Sequence, residues 1–536
     1  MRRTGSSLVS VVSCLTTAVW VVVAGLAAGP ADAAISTTGL AGATVVHTDK
    51  GDVRGVSSAE VDSFLGVRYA KPPVAELRWR PPQPADPWPG IADATQYGNR
   101  CPQNPSSNGP LSLTEDCLFL NVQRPANTGR GDRLPVYVFI HGGGFTNGGS
   151  NQHDGTSIVQ QTGVVVVTIN YRLGMLGWLG HPALTAQQGE SGNYGLKDEM
   201  AALAWVQRNI ANFGGDPNRV TIGGESAGAL SVCALLSAPG AKGLFSRAIM
   251  QSGYCDTGSQ ADMEYVGRGT AAQAGCSVPA EQLPCLRAAD TQTLLTAWES
   301  WGNPSFAVSG TPTLPLDLHV AILQGKIRHV PLLIGSNRDE GRTFTVDNVG
   351  MDQAGYESWL QDNLFSPQQV AAVEARYPWP ADADEFTGAY LTGAILTDGL
   401  LGLGGCQQRH LANDFAQEIT TYMYEFAHRT GPGIRPDPVG YVWGAGHAAE
   451  LAYMWPSFDN GTPIAPTFNA AERQLSAQMI AYWGAFVRNG RPTTAGQPTW
   501  PALDKTHSLL SLRAGNASTV ITDAAFSDEH GCSFWG

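Results

Sequence analysis

Apolar positions along the chain fall into two alternating patterns. Pro135 to Ile140 and Gly163 to Ile169 are short, unbroken apolar runs rich in β-branched residues, as expected of strands buried on both faces of a parallel sheet. Between Gly195 and Asn212 the period changes, with Leu196, Met200, Leu203, Val206 and Ile210 spaced to share one helical face. Phe213-Gly214-Gly215 stops that helix. Arg219 to Ile222 returns to the strand pattern and Ala227 to Leu236 to the helical one. The alternation predicts an α/β fold with a large, mostly parallel central sheet flanked by helices. No repeat or low-complexity linker divides residues 34 to 536, which predicts a single domain.

The first 33 residues follow a different logic. Met1-Arg2-Arg3 precedes an uncharged stretch from Thr4 to Ala31, apolar from Leu8 to Ala28, and Pro30-Ala31-Asp32-Ala33 closes it. A charged start, an apolar middle and a small-residue end predict a secretory signal peptide, 1–33, and a secreted, extracellular mature chain with no stable membrane anchor. A transmembrane anchor is the competing reading of an apolar stretch this long. Cleavage after Ala33 removes Cys14 from nine cysteines, and the even number left in an exported protein predicts disulfides. There is no Cys-x-x-Cys pair and the histidines are dispersed, so no metal site is expected. The formal charge of −13 over 536 residues leaves no basic face for nucleic acid.

Candidate chemistry appears where strand meets helix. Gly224-Glu225-Ser226-Ala227-Gly228 matches G-x-S-x-G, a pattern in which small neighbours allow a sharp turn that projects the serine hydroxyl above the sheet. A serine hydroxyl needs a base and donors for the oxyanion that its attack creates. His141-Gly142-Gly143-Gly144-Phe145, after the strand ending at Ile140, supplies backbone N–H groups that only glycines let approach a substrate so closely.

With these motifs the chain resembles the type B carboxylesterases, the family that includes cholinesterases. Phe213 to Gly228 matches that family's long active-serine signature and Glu115 to Asn121 its second signature. Phe64 to Ala70, Asn170 to Gly174, Asn193 to Asp198, Tyr482-Trp483 and Trp500-Pro501 extend the likeness over nearly all of the mature chain. The resemblance implies an α/β-hydrolase fold and a serine carboxylic ester hydrolase that needs no cofactor.

By the same resemblance Ser226 is the nucleophile. Glu340, in the loop Asn337 to Gly341, is the acid, with Asp339 as its rival. Five histidines follow that loop: His410, His428, His447, His507 and His530. His447, within Gly444 to Tyr453, resembles the family's base, although the small residue after it is Ala448. The implied oxyanion donors are the N–H groups of Gly143, Gly144 and Ala227, while Glu225 and Glu450 match positions beside the triad. Cys101 with Cys117 and Cys276 with Cys285 resemble the family's disulfides, and Cys406 with Cys532 suits a third. Cys233 and Cys255 are left as a fourth pair or as two buried thiols.

The loop between Cys101 and Cys117 carries a long lid in family lipases and a choline-stacking Trp in cholinesterases. Here it has 15 residues and no Trp. Short to medium soluble esters are therefore the expected substrates, unless a segment such as Trp298 to Phe306 supplies a lid. A lipase, an amidase or a transacylase would use the same triad, whereas a non-catalytic adhesion relative of neuroligin type would not need it.

Overall fold

The computed structural model describes residues 42–536; the predicted signal peptide, 1–33, lies outside the described residues. Its centre is a 13-stranded sheet. On the N-terminal side lie β1 (Gly42–Thr48), β2 (Gly51–Ser57), β3 (Val61–Arg68), β4 (Ile91–Asp93) and β5 (Phe119–Pro125). The middle is built from β6 (Leu134–Ile140), β7 (Val165–Ile169), β8 (Gly215–Glu225) and β9 (Arg247–Gln251). A separate short parallel pair joins β10 (Gly258–Ser259) to β11 (Val308–Ser309). β12 (Leu332–Asn337), β13 (Thr421–Phe426), β14 (Ser508–Leu512) and β15 (Thr519–Thr522) complete the sheet. Its order is β1-β2-β3-β5-β7-β6-β8-β9-β12-β13-β14-β15, with β4 beside β2.

From β7 to β14 every neighbouring pair is parallel, and at both margins the main path turns antiparallel. The central strands read as unbroken apolar runs because both of their faces are covered. Val136, Val138 and Ile140 of β6 enter one core with Val165, Val167 and Ile169 of β7. Tyr137, Phe139 and Val166, pointing the other way, enter a second. Leu196, Leu203 and Val206 of helix Tyr194–Asn209 cover the first face. The second face is covered by helix Ala470–Asn489, which starts at a capping box between Asn469 and Glu472 and packs Leu475, Met479, Trp483 and Phe486 inward.

β8 starts at Gly215, four residues before the apolar run that marks it in the sequence. Gly215 pairs with Leu134, and a register shift absorbs the polar residues before Val220. The eight described cysteines form four disulfides: Cys101–Cys117, Cys276–Cys285, Cys406–Cys532 and Cys233–Cys255. The last resolves the pair left open by the sequence, and it ties helix Ala227–Ser237 to the chain leaving β9. Among the described residues no helix is long and apolar enough to cross a membrane.

Candidate active site

The C-terminal ends of four parallel strands come level. Ile140 of β6 pairs with Gly224 of β8, Gly224 with Met250 of β9, and Gln251 with Gly335 of β12. The His141–Phe145 loop, Ser226, Ser252 and the turn at Glu340 therefore all emerge at one edge of the sheet, where open α/β sheets place their ligands.

Ser226 has φ 54° and ψ −123°, a conformation that residues with a Cβ rarely adopt. Its neighbours must be glycines for a geometric reason. A Cβ on Gly224 would lie 2.3 Å from the Gly228 carbonyl, and one on Gly228 would lie 2.0 Å from Ile140 O. The turn is pinned by the Ser226 N–H, which donates to Gln251 O at 2.9 Å, and by the Ala229 N–H, which donates to Ser226 O at 2.9 Å.

His447 Nδ1 lies 2.7 Å from Glu340 Oε2. The other oxygen of Glu340 accepts from Ser252 Oγ at 2.5 Å and from the Asn337 N–H at 2.6 Å, so this fully buried carboxylate is fixed in place. Asp339, the rival acid, points elsewhere: Arg429 grips both its oxygens at 2.7 and 2.8 Å, and the Ala445 N–H donates to it at 3.0 Å. It thereby ties the acid turn to the histidine loop.

His447 Nε2 faces Glu225 Oε1 at 3.3 Å. The Ser226 hydroxyl makes no hydrogen bond among the described residues, and it opens with His447 into one cavity. Bonds between nucleophile and base commonly tighten only once substrate is bound. Burial opposes charge on His447, but Glu225 and Glu340 outweigh it and raise the imidazole to about 9. Burial also raises Glu225, to about 8, despite the imidazole beside it. Glu450 is raised by burial and by Glu340; it accepts from Gln251 Nε2 at 3.1 Å and from Asn337 Nδ2 at 2.6 Å.

Gly143, with φ 103°, accepts on its carbonyl from the Thr146 and Asn147 N–H groups at 3.0 and 3.1 Å. A Cβ there would lie 2.2 Å from Asn147 O. Among the described residues, the Gly143 and Gly144 N–H groups donate to no protein acceptor. Ala227 opens its helix, so its N–H has no acceptor in the preceding turn. All three residues line the cavity with Ser226 and His447. Below them, His141 stacks on Tyr171 at 4.6 Å, and burial lowers its imidazole to about 4.

The cavity has a volume of about 480 Å³. Leu230, Phe306, Phe344, Leu403 and Ile434 give it apolar walls; Asn108, Asn147, Gln152 and Asn460 give polar ones. None of its lining residues is Lys or Arg. The loop closed by Cys101–Cys117 still reaches the rim through Ser107 and Asn108. The segment from Trp298 to Phe306 contributes Asn303, Ser305 and Phe306, while Trp298 itself is buried and donates from Nε1 to Ser305 at 3.0 Å.

Ser226, His447, Glu340 and the glycine loop, all singled out in the sequence, come together here, and the structure adds Ser252 and Gln251, which the sequence does not single out, and a supporting role for Asn337 and Trp483, which it marks only as parts of family-like motifs. Trp483 donates to Gln251 Oε1 at 3.0 Å, and Gln251 then reaches Glu450. No local motif marks Ser252 or Gln251; the alignment of strand ends brings them behind Glu340, and helix Ala470–Asn489 brings Trp483 to Gln251.

The profile of the carboxylesterase family matches residues 42–535. The chain is 34% identical to carboxylesterase 1D of Rattus norvegicus over 521 residues, 88% of this chain and 89% of the relative. It is likewise 34% identical to fumonisin B1 esterase of Sphingopyxis macrogoltabida over 484 residues, 87% of this chain and 86% of that one. Among solved structures, a PNB esterase superposes with a TM-score of 0.75 at 32% identity, covering 91% of this chain and 99% of the other. With its strand order, its elbow at Ser226 and these relatives, the chain belongs to the carboxylesterase family and is an ester hydrolase.

Proposed function

We propose that ester hydrolysis proceeds through an acyl-enzyme on Ser226. The observation that carries this reading is that Ser226, on a strained turn, and His447, braced by Glu340, open into one cavity with three N–H donors unused by the protein. His447 Nε2 takes the proton from Ser226 Oγ as the oxygen bonds to the ester carbon. The carbonyl π electrons move onto oxygen, and the Gly143, Gly144 and Ala227 N–H groups donate to that oxyanion. Collapse of this intermediate breaks the bond to the alcohol, which leaves with the proton held by His447. Water then repeats the sequence on the acyl-enzyme and releases the acid. Glu340 holds the Nδ1–H and stabilises the imidazolium; Glu225 and Glu450 add to the negative charge that favours it.

The substrates are short to medium soluble esters without negative charge. The cavity size, the apolar walls and the absence of Lys or Arg among the lining residues support this, as does the short loop at its rim. The mature protein acts outside the cell as one domain, 34–536, after removal of residues 1–33. The four disulfides support an oxidising compartment. Rates on butyrate, octanoate and palmitate esters, below and above the solubility limit, test the substrate reading. Highest kcat/KM on the short soluble ester is expected; a sharp rise on emulsified palmitate ester would make the protein a lipase.

A further inference from the structure

A second buried histidine lies away from the cavity. His530 ends helix Asp523–His530 and is 3% exposed. Its Nδ1 meets Asp398 Oδ1 at 2.7 Å and its Nε2 meets Glu425 Oε1 at 3.0 Å. An ionised carboxylate only accepts, so both ring nitrogens donate and the ring is an imidazolium. The other carboxylate oxygens are also occupied: Tyr377 Oη donates to Asp398 Oδ2 at 2.7 Å, and Ser511 Oγ to Glu425 Oε2 at 3.4 Å. Burial opposes the charge, but Asp398 and Glu425 raise His530 to about 9. Phe526 packs on its ring, and Arg376 lies over Tyr377.

This cluster grips the acid turn from both flanks. Asp398 belongs to the turn Leu396–Leu400, whose Thr397 Oγ1 accepts from the Gly341 N–H, next to Glu340, at 2.8 Å. Further along that segment Gly404 lies against Glu340, where a Cβ would come within 3.0 Å of its Cγ, and Leu403 lines the cavity. On the other flank Glu529, adjacent to His530, pairs with Arg338 of the acid turn. The Cys406–Cys532 disulfide ties helix Gly405–Glu418, which follows Gly404, to the chain just after His530.

We infer that His530 is a positioning residue for ester hydrolysis: as a cation buried between Asp398 and Glu425 it fixes the turn Leu396–Leu400, and through Thr397 and Gly341 the direction in which Glu340 faces His447. The inference rests on Glu340 being the acid of the triad. Without the imidazolium, buried Glu425 and part-buried Asp398 lose their counter-charge and keep only the Ser511 and Tyr377 hydroxyls, so the turn beside Glu340 must shift to solvate them.

The test uses the full mature chain with His530→Gln. Folded active sites are counted with an organophosphate, kcat per counted site and KM are measured on a soluble butyrate ester, and the downfield proton resonance of the His447 Nδ1–H is recorded. A loss in kcat of about tenfold or more is expected, with KM within about twofold of wild type and the resonance displaced, because small misplacements of a catalytic group act on the chemical step. A kcat within about twofold of wild type, with the resonance unmoved, overturns the inference. Should His530→Gln not fold, Asp398→Asn, which keeps the pair with Glu425, is judged by the same two outcomes. Glu340→Gln is measured alongside. If it retains full activity, the assignment of the acid falls; if it collapses while His530→Gln does not, only the role of His530 falls.

Discussion

His447 and His530 each sit between two carboxylates, and in both cases burial is outweighed so that the imidazole rises to about 9. They differ in what lies beyond the ring. His447 lines a cavity of about 480 Å³ together with Ser226 and the glycine loop. His530 has no such opening: Tyr377, Ser511 and Phe526 close around it and its carboxylates. A shifted proton affinity therefore does not by itself mark a catalyst, since buried structural ion clusters shift proton affinities as strongly. Access to a nucleophile and to unused N–H donors distinguishes the two.

The largest difference is expected from removing each imidazole in turn. His447→Ala should lower kcat by about 10⁴-fold or more, because base and nucleophile act as one unit. The effect of His530→Gln should be orders of magnitude smaller. Steady-state kinetics on both folded variants make the comparison, and equal losses would dissolve it. Gly143→Ala comes next. The new Cβ would strike Asn147 O and pull an N–H away from the oxyanion, so a loss of about 10²–10³ in kcat is expected in the folded variant, together with a lower melting temperature from the strained backbone. The smallest effect is in the pH profile. Only neutral His447 accepts the serine proton, so a raised proton affinity means that kcat/KM climbs with pH toward a midpoint near 9 and falls below it. Glu225 is the first of the charges that raise His447, so Glu225→Gln should move the midpoint downward. A profile unchanged by that substitution would remove Glu225 from the electrostatics of the site.

The parts legible in the sequence are those with local causes. The apolar runs of β6 and β7, the face of helix Tyr194–Asn209 and the small residues around Ser226 each follow from steric or solvation rules that act within a few residues. The start of β8 was hidden because Asp216, Pro217 and Asn218 read as a loop, while pairing with Leu134 extends the strand beneath them. Asp339 and Glu340 are adjacent and chemically alike, and the family pattern alone chose between them. In the structure they differ through a residue 90 positions away: Arg429 takes Asp339, while Glu340 meets His447. The support behind Glu340 was illegible for the same reason: Ser252, Thr397 and His530 come from three distant segments that only the sheet order and a disulfide near the C-terminus bring together.

The claim that the cavity-facing histidine serves Ser226 is tested most directly by covalent labelling. The mature protein is treated with an organophosphate at a pH near the midpoint of about 9, digested, and mapped by mass spectrometry, with folded His447→Ala protein treated in parallel. The account predicts a single adduct, on Ser226, formed far more slowly when His447 is absent. An adduct on any other residue, or full hydrolytic activity in Ser226→Ala, would contradict it.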